Sequence, residues 1–330
     1  MSIILFIGRK STRTVDPLRK GHSYHLMLSV FSLLLISCAA ERDPGSLFGP
    51  AEQGTLVVDA TLIVDRPMPP IFIRQTIAPN VVYTQNAAAV NTAEVIITQG
   101  ASEYKYLPDP VSSLGRYLPP VAPPFILPET EYRILVRFGG KEARAVTTTP
   151  KRFTIDQALM IDVKTLEPVR DLITFRDNPN TVFTAPVNQV PYLENLIETR
   201  FQPINVKAYQ VGIINLETDS DFVISGDFLD DEDFENFERK SSSPPLEVAD
   251  GNLRLPWFAI AFAGRHIIQV FAMDDNWFDF ARSSPETQNV GFGNLAGDNF
   301  ERPIFHIDGG IGLFGSASVD SVGFVILPQK

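Results

Sequence analysis

The chain has 330 residues, 44% of them hydrophobic, a single cysteine and a formal charge of −11. That length and apolar content suffice for one or two buried cores and exclude a disordered tail. The acidic balance opposes nonspecific binding to nucleic acid, which draws on clustered Lys and Arg, so no nucleic-acid partner is expected.

In chain order, Arg13, Arg19 and Lys20 form a basic flank to the apolar run 26–36, which ends in Leu35-Ile36-Ser37-Cys38. The run is too short to cross ~30 Å of hydrocarbon as a permanent helix, which takes about 20 residues, and reads instead as a cleaved secretion signal. The Leu-Ile-Ser-Cys ending resembles a bacterial lipobox, which implies lipidation of Cys38 and cleavage before it. Residues 1–37 carry five basic side chains against one acidic, so the mature chain keeps 293 residues, a charge of −15 and no free thiol. Disulfide and thiol chemistry are excluded with it. Two or three acyl chains give stable anchoring where one is marginal. Ala39 is not the aspartate that commonly retains lipoproteins at the inner membrane, so the outer membrane is expected. Residues 41–54 are short, polar and Gly/Pro-containing, as in a flexible tether.

Folded sequence begins near Leu56. Over 56–64 the even positions are apolar while Asp59 and Thr61 fall on the other face, the pattern of a half-buried strand. Residues 71–77 and 94–98 read alike. Residues 132–138, Gly139-Gly140 and 141–149 form a hairpin, since two glycines supply the positive φ of a two-residue turn and set Arg137 opposite Glu142. Prolines at 119, 120, 123, 124 and 128 mark the connection before it, and Pro150 ends it. The predicted architecture is mainly β: a small N-terminal antiparallel sandwich ending near Phe153, then a larger β-rich domain. In the latter, 206–216, 222–224, 253–262, 265–273 and 319–327 are rich in β-branched and aromatic residues. Ala263-Gly264 is expected to join two of these as a hairpin, and 191–199 to be a short helix. The predicted divisions are thus 1–37 signal, 38–54 lipidated cysteine and tether, 55–153 first domain, 154–330 second domain.

The order of these features resembles a family of Gram-negative outer-membrane lipoproteins of unknown function, often found beside TonB-dependent transporters. The match is carried by Thr92-Ala93-Glu94-Val95, Gly115-Arg116-Tyr117, Tyr132-Arg133-Ile134-Leu135-Val136, Thr149-Pro150, Val270-Phe271-Ala272-Met273-Asp274-Asp275 and the closing Gly309-Gly310-Ile311-Gly312-Leu313-Phe314-Gly315-Ser316-Ala317-Ser318. The resemblance implies an immunoglobulin-like first domain and an accessory role in nutrient uptake. It brings no catalytic residues, and 171–252 depart from its pattern.

Gly310-Ile311-Gly312-Leu313-Phe314-Gly315 has the letters of a dinucleotide fingerprint, but a β-rich terminus follows where a phosphate-facing helix is needed. Glycines permitting a tight turn or close backbone packing are the better reading, and no cofactor is expected. Asp230, Asp231 and Asp233 are a candidate weak Ca²⁺ loop, although the spacing is not that of an EF-hand and a solvated acidic loop is favoured. Asp274-Asp275-Asn276 is expected to be a strand-end turn. Trp277, Phe278, Asp279 and Phe280 alternate rings and acid as a stacking platform for a ligand would, or as the end of a β core does. With His22 and His25 in the signal, only His266 and His306 remain, too few for a three-histidine zinc site. The expectation is a non-enzymatic, lipid-anchored partner of a TonB-dependent transporter or surface complex. The alternatives are a glycoside hydrolase built on two carboxylates, or a passive adhesin or structural surface module.

Overall fold

The computed structural model describes residues 53–78, 80–172, 174–175, 189–191, 195–223, 238–255, 259–283 and 303–328, all within one compact unit, Glu52–Lys330. The chain is mainly β, as its alternating apolar pattern predicts. Strand β1 (Leu56–Ile63) buries Leu56, Val58, Ala60 and Leu62 and turns Asp59 outward. There follow β2 (Ile71–Gln75), the single-turn α1 (Gln85–Ala88), β3 (Glu94–Gln99), β4 (Ser102–Pro108), β5 (Arg116–Leu118), β6 (Glu131–Phe138) and β7 (Lys141–Thr148). The β6–β7 hairpin forms as expected: Gly139 and Gly140 have φ of 58° and 77°, and Arg137 pairs with Glu142. Positive φ at both central residues matches the right-handed twist of the strands they join.

The second half contains β8 (Ile155–Ile161), β9 (Pro168–Asp171), β10 (Gln189–Pro191), β11 (Leu196–Phe201), β12 (Tyr209–Asn215), β13 (Lys240–Ser242), β14 (Asn252–Leu255) and β15 (Gly264–Met273). It closes with helix α2 (Asp275–Ser283), β16 (Ile307–Asp308) and the eighteen-residue β17 (Gly310–Leu327). One sheet runs β13-β12-β15-β17-β1-β2-β5-β4-β3-β6-β7-β16, with β10 beside β17, and a second runs β14-β11-β8-β9. The large sheet folds over on itself at β4, so that β1, β2, β5 and the start of β17 face β3, β6 and β7 across one core. The small sheet packs on β12, β15 and the end of β17 across another, where Phe153, Phe201 and Tyr209 meet at ring separations of 4.8–5.9 Å.

Strand β17 belongs to both cores. Its first half lies parallel to β1, with Leu56 opposite Gly310 through Ile63 opposite Ala317. Its second half runs antiparallel to β15, with Met273 opposite Ala317 through Gly264 opposite Ile326. The sheet therefore continues across the expected division near Phe153. In place of a turn at 310–315, the glycines allow close packing: a Cβ on Gly312, whose φ is +107°, would lie 2.1 Å from the Val58 carbonyl oxygen.

Two local expectations fail. Residues 196–201 are strand β11, not a helix, because the segment ladders with β8 on one side and β14 on the other while Ile197 and Phe201 pack into the second core. Ala263-Gly264 is not a hairpin joining 253–262 to 265–273: β14 pairs with β11 in the small sheet, and β15 pairs with β12 and β17 in the large one. Leu253 and Leu255 reach the same core as Ile268 and Val270, but from the opposite layer.

Candidate functional site

Residues 277–280 lie on helix α2, not on a strand, and Asp274 is the reason. At the end of β15 its Oδ1 accepts the Trp277 amide (2.9 Å) and its carbonyl accepts the Phe278 amide (3.0 Å), which caps and starts a helix. Successive residues then point about 100° apart, so Trp277 and Phe280, three apart, lean to one side while Phe278 turns away from both, and the three rings do not form one flat platform. Trp277 tilts against Phe271 (5.7 Å) and Phe280 against Phe305 (6.1 Å), while Phe278 carries Arg282 at 5.2 Å and Lys207 at 5.8 Å over its ring. Asp279 accepts from Arg282 Nε (2.8 Å) and holds His306 Nε2 at 2.8 Å. Burial alone would raise the Asp279 carboxyl, but His306 and Arg282 outweigh it and hold the group below the usual carboxylate range.

Beneath the start of α2 lies a buried polar knot. The Thr147 hydroxyl donates to Asp274 Oδ2 and stands 2.7 Å from Ser316 Oγ. Asn276 Nδ2 donates to the carbonyls of Val146 (2.6 Å) and Phe314 (2.9 Å), and the Asp274 amide donates to Ser316 O (2.9 Å). β7, β15, β17 and α2 are thereby stitched at one point. Burial pushes the Asp274 carboxyl up, against the opposing pull of the Thr147 hydroxyl and the Trp277 amide. Above the knot is an open depression of about 520 Å³, lined by Arg144, Val146, Asn276, Phe305, His306 and Asp308. An arginine, an amide, an imidazole and a carboxylate on its wall can hydrogen-bond a polar side chain or chain segment of a partner. The nearby hydroxyls of Thr147, Ser316 and Ser283 are held in structural bonds, the last between Asp279 O and the Ile304 amide, so among the described residues these hydroxyls are not poised as nucleophiles for the His306–Asp279 pair. A second depression, about 540 Å³ at the β6–β7 tip, contains Glu94 and Glu142, both bound to Arg137 at 3.1 and 2.7 Å.

Of the other expected positions, Cys38 and the candidate Ca²⁺ loop at Asp230, Asp231 and Asp233 lie outside the described residues. Among the described residues, no three His, Cys, Asp or Glu stand together as a metal site. His266 is buried: Asn215 Nδ2 lies 3.0 Å from Nε2 and Gly264 O lies 3.0 Å from Nδ1, a setting that suits the neutral ring protonated on Nδ1. Burial pushes it down to about 4, and the ring stacks on Phe324. Sequence reasoning also missed Glu198, which is fully buried between Arg200 Nε (2.7 Å) and Arg254 Nε (2.8 Å). Glu198 and Arg254 meet only through cross-strand register between β11 and β14, which no local pattern marks. Asp274 did leave a signal: an aspartate after an apolar strand and three residues before Trp277 is a helix N-cap pattern.

Residues 46–322 match the family described as a domain of unknown function, DUF4249. The chain belongs to that family. No curated protein matches it. Among solved structures it is similar to one reported for host-cell surface retention of a 1.5-MDa bacterial ice-binding adhesin, at 8% identity and a TM-score of 0.20, covering 83% of this chain. The chain spans 64% of that adhesin chain's length.

Proposed function

We propose that this DUF4249 member is a lipid-anchored outer-membrane protein that acts as a non-enzymatic accessory or binding partner of a TonB-dependent transporter or surface complex, its first domain an immunoglobulin-like module. The observation that carries the reading is Leu35-Ile36-Ser37-Cys38 behind a basic and then an apolar segment, ahead of a mainly β body. The state of the polar side chains supports the non-enzymatic part. Asp274, Asp279, Glu198, His266 and His306 each serve a contact that holds the fold, and the two acids lining the β6–β7 depression, Glu94 and Glu142, are both engaged by Arg137. The wall around Asn276 and His306 is the part of the α2 region best suited to meet a partner.

The test is purification of the native protein in mild detergent, with mass spectrometry of its N-terminus. An acylated Cys38 and a copurifying transporter are the expected results. An unmodified Cys38 in an uncleaved chain overturns the anchoring, and efficient turnover of a glycan or peptide by the purified mature chain overturns the non-enzymatic role.

A further inference from the structure

One end of the molecule gathers the place where the described chain begins and two loops with exposed apolar tips. The Gly54 amide donates to Thr76 O (2.8 Å), the Thr76 amide to Thr55 O (2.9 Å), and Lys141 Nζ on the β6–β7 tip to Gly54 O (2.6 Å). From Thr76 the chain projects past the strand ends and returns at Val90, whose amide donates to Ile73 O (3.1 Å). Asn91 fastens this loop to the β4–β5 loop, donating to Ser113 O (3.0 Å) and accepting from the Gly115 amide (2.8 Å). The β4–β5 loop is shaped by Asp109, whose Oδ1 accepts the Val111 amide.

The tips are apolar and uncharged. Val82 is 83% exposed, Tyr83 62% and Val111 93%. Residues 77–93 contain no Asp, Glu, Lys or Arg, nor do 110–115, in a chain one-fifth charged. Asp109, next to the second stretch, is covered and paired with Arg116 at 2.9 Å, and Glu94, next to the first, is paired with Arg137 at 3.1 Å. Exposed valines and a tyrosine free of charge suit a bilayer interface, where a charge costs free energy and Tyr is favoured. The chain outside the structure sets the occupant: fourteen residues, 39–52, separate Cys38 from Gln53. At no more than ~3.5 Å each they span at most ~50 Å, so this end stays within reach of the membrane that holds Cys38.

We infer that the loop tips at Val82, Tyr83 and Val111 rest in the lipid headgroup region and fix the orientation of the body on the membrane. This rests on the lipid-anchored reading above. The loop at Val121, fully exposed, lies at the opposite end of β1, where Ile126 bonds Asp65 and Arg66, and so faces away from the bilayer.

The experiment uses the mature chain carrying Cys38→Ala, which leaves no native thiol, with an N-terminal hexahistidine held on nickel-chelating lipid in phosphatidylcholine vesicles. Single substitutions Val82→Cys, Val111→Cys and Val121→Cys carry an environment-sensitive fluorophore, and circular dichroism checks each fold. Blue-shifted emission and quenching by nitroxide-labelled lipid at 82 and 111, with neither at 121, is the expected result. Labels at 82 and 111 as water-exposed as at 121, or all three quenched alike, overturn the inference. Because the tether replaces the natural lipid, this outcome is separate from the mass of native Cys38, which alone decides the anchoring.

Discussion

Gly312→Ala tests the shared strand at its tightest point. An alanine Cβ there would sit 2.1 Å from Val58 O and 3.1 Å from Val58 N and C, so β1 and β17 must part by roughly 1 Å or more to restore ordinary contact. The backbone conformation, φ +107°, lies beyond the left-handed helical region and adds about 1–3 kcal/mol for any residue with a Cβ. Ladder hydrogen bonds stretched on either side of Val58 cost about 1 kcal/mol each. The sum is about 3–5 kcal/mol, a large fraction of the stability of an ordinary domain. Gly140→Ala is the matched control: φ is +77°, but nothing lies within 4 Å of its Cβ position, so only the conformational cost of about 1–2 kcal/mol applies. Equilibrium urea unfolding, with midpoints compared at constant slope, reads both. If Gly312→Ala costs no more than Gly140→Ala, the close approach of β1 to β17 is not what the glycine serves.

Three further substitutions have defined outcomes. His266, pushed down to about 4 when folded, binds its proton less readily than in the unfolded chain, so stability attributable to it is present above the unfolded value near 6.5 and is lost as pH falls towards 4. Between neutral pH and roughly pH 4.5 the loss is about 2–3 kcal/mol, and His266→Gln should remove that slope in urea titrations at the two pH values. Asp274→Ala should cost about 2–3 kcal/mol by removing the α2 cap and the Thr147 acceptor, while Asp274→Asn, which still caps, should cost less by thermal unfolding. The Asp274 carboxyl is raised in the fold, so it stabilises at low pH and less as pH rises through its folded value; the Ala-minus-Asn difference should stay flat across that range. Glu198→Ala should cost about 3 kcal/mol or somewhat less, because Arg200 and Arg254 can turn to water, and Glu198→Leu should recover most of it in the same assay.

The elements written in local pattern were legible. Alternation marked β1, and Gly139-Gly140 marked the β6–β7 hairpin with its register, because both signals lie within a few residues. What was not legible depends on partners far away in the chain. The alternation of 253–255 and of 265–273 serves a strand in either sheet equally, so nothing local says that they part company. Parallel pairing of β1 with β17 joins residues some 250 positions apart and cannot be read from either segment alone. The stretch 277–280 misled because its rings and acid alternate, yet the cap at Asp274 overrides that period. In the α2 region, the residue types were visible in the sequence and their engagements, such as Asp279 between His306 and Arg282, were not.

That β17, some 250 residues beyond β1, completes the first core has a consequence for folding. One edge of β1 pairs with nearby β2, but the other waits for β17, so the first core closes only through a pairing of long sequence separation, which slows folding. Fragments that stop before β17 should leave that edge of β1 unpaired and be cut by proteases faster than the full chain.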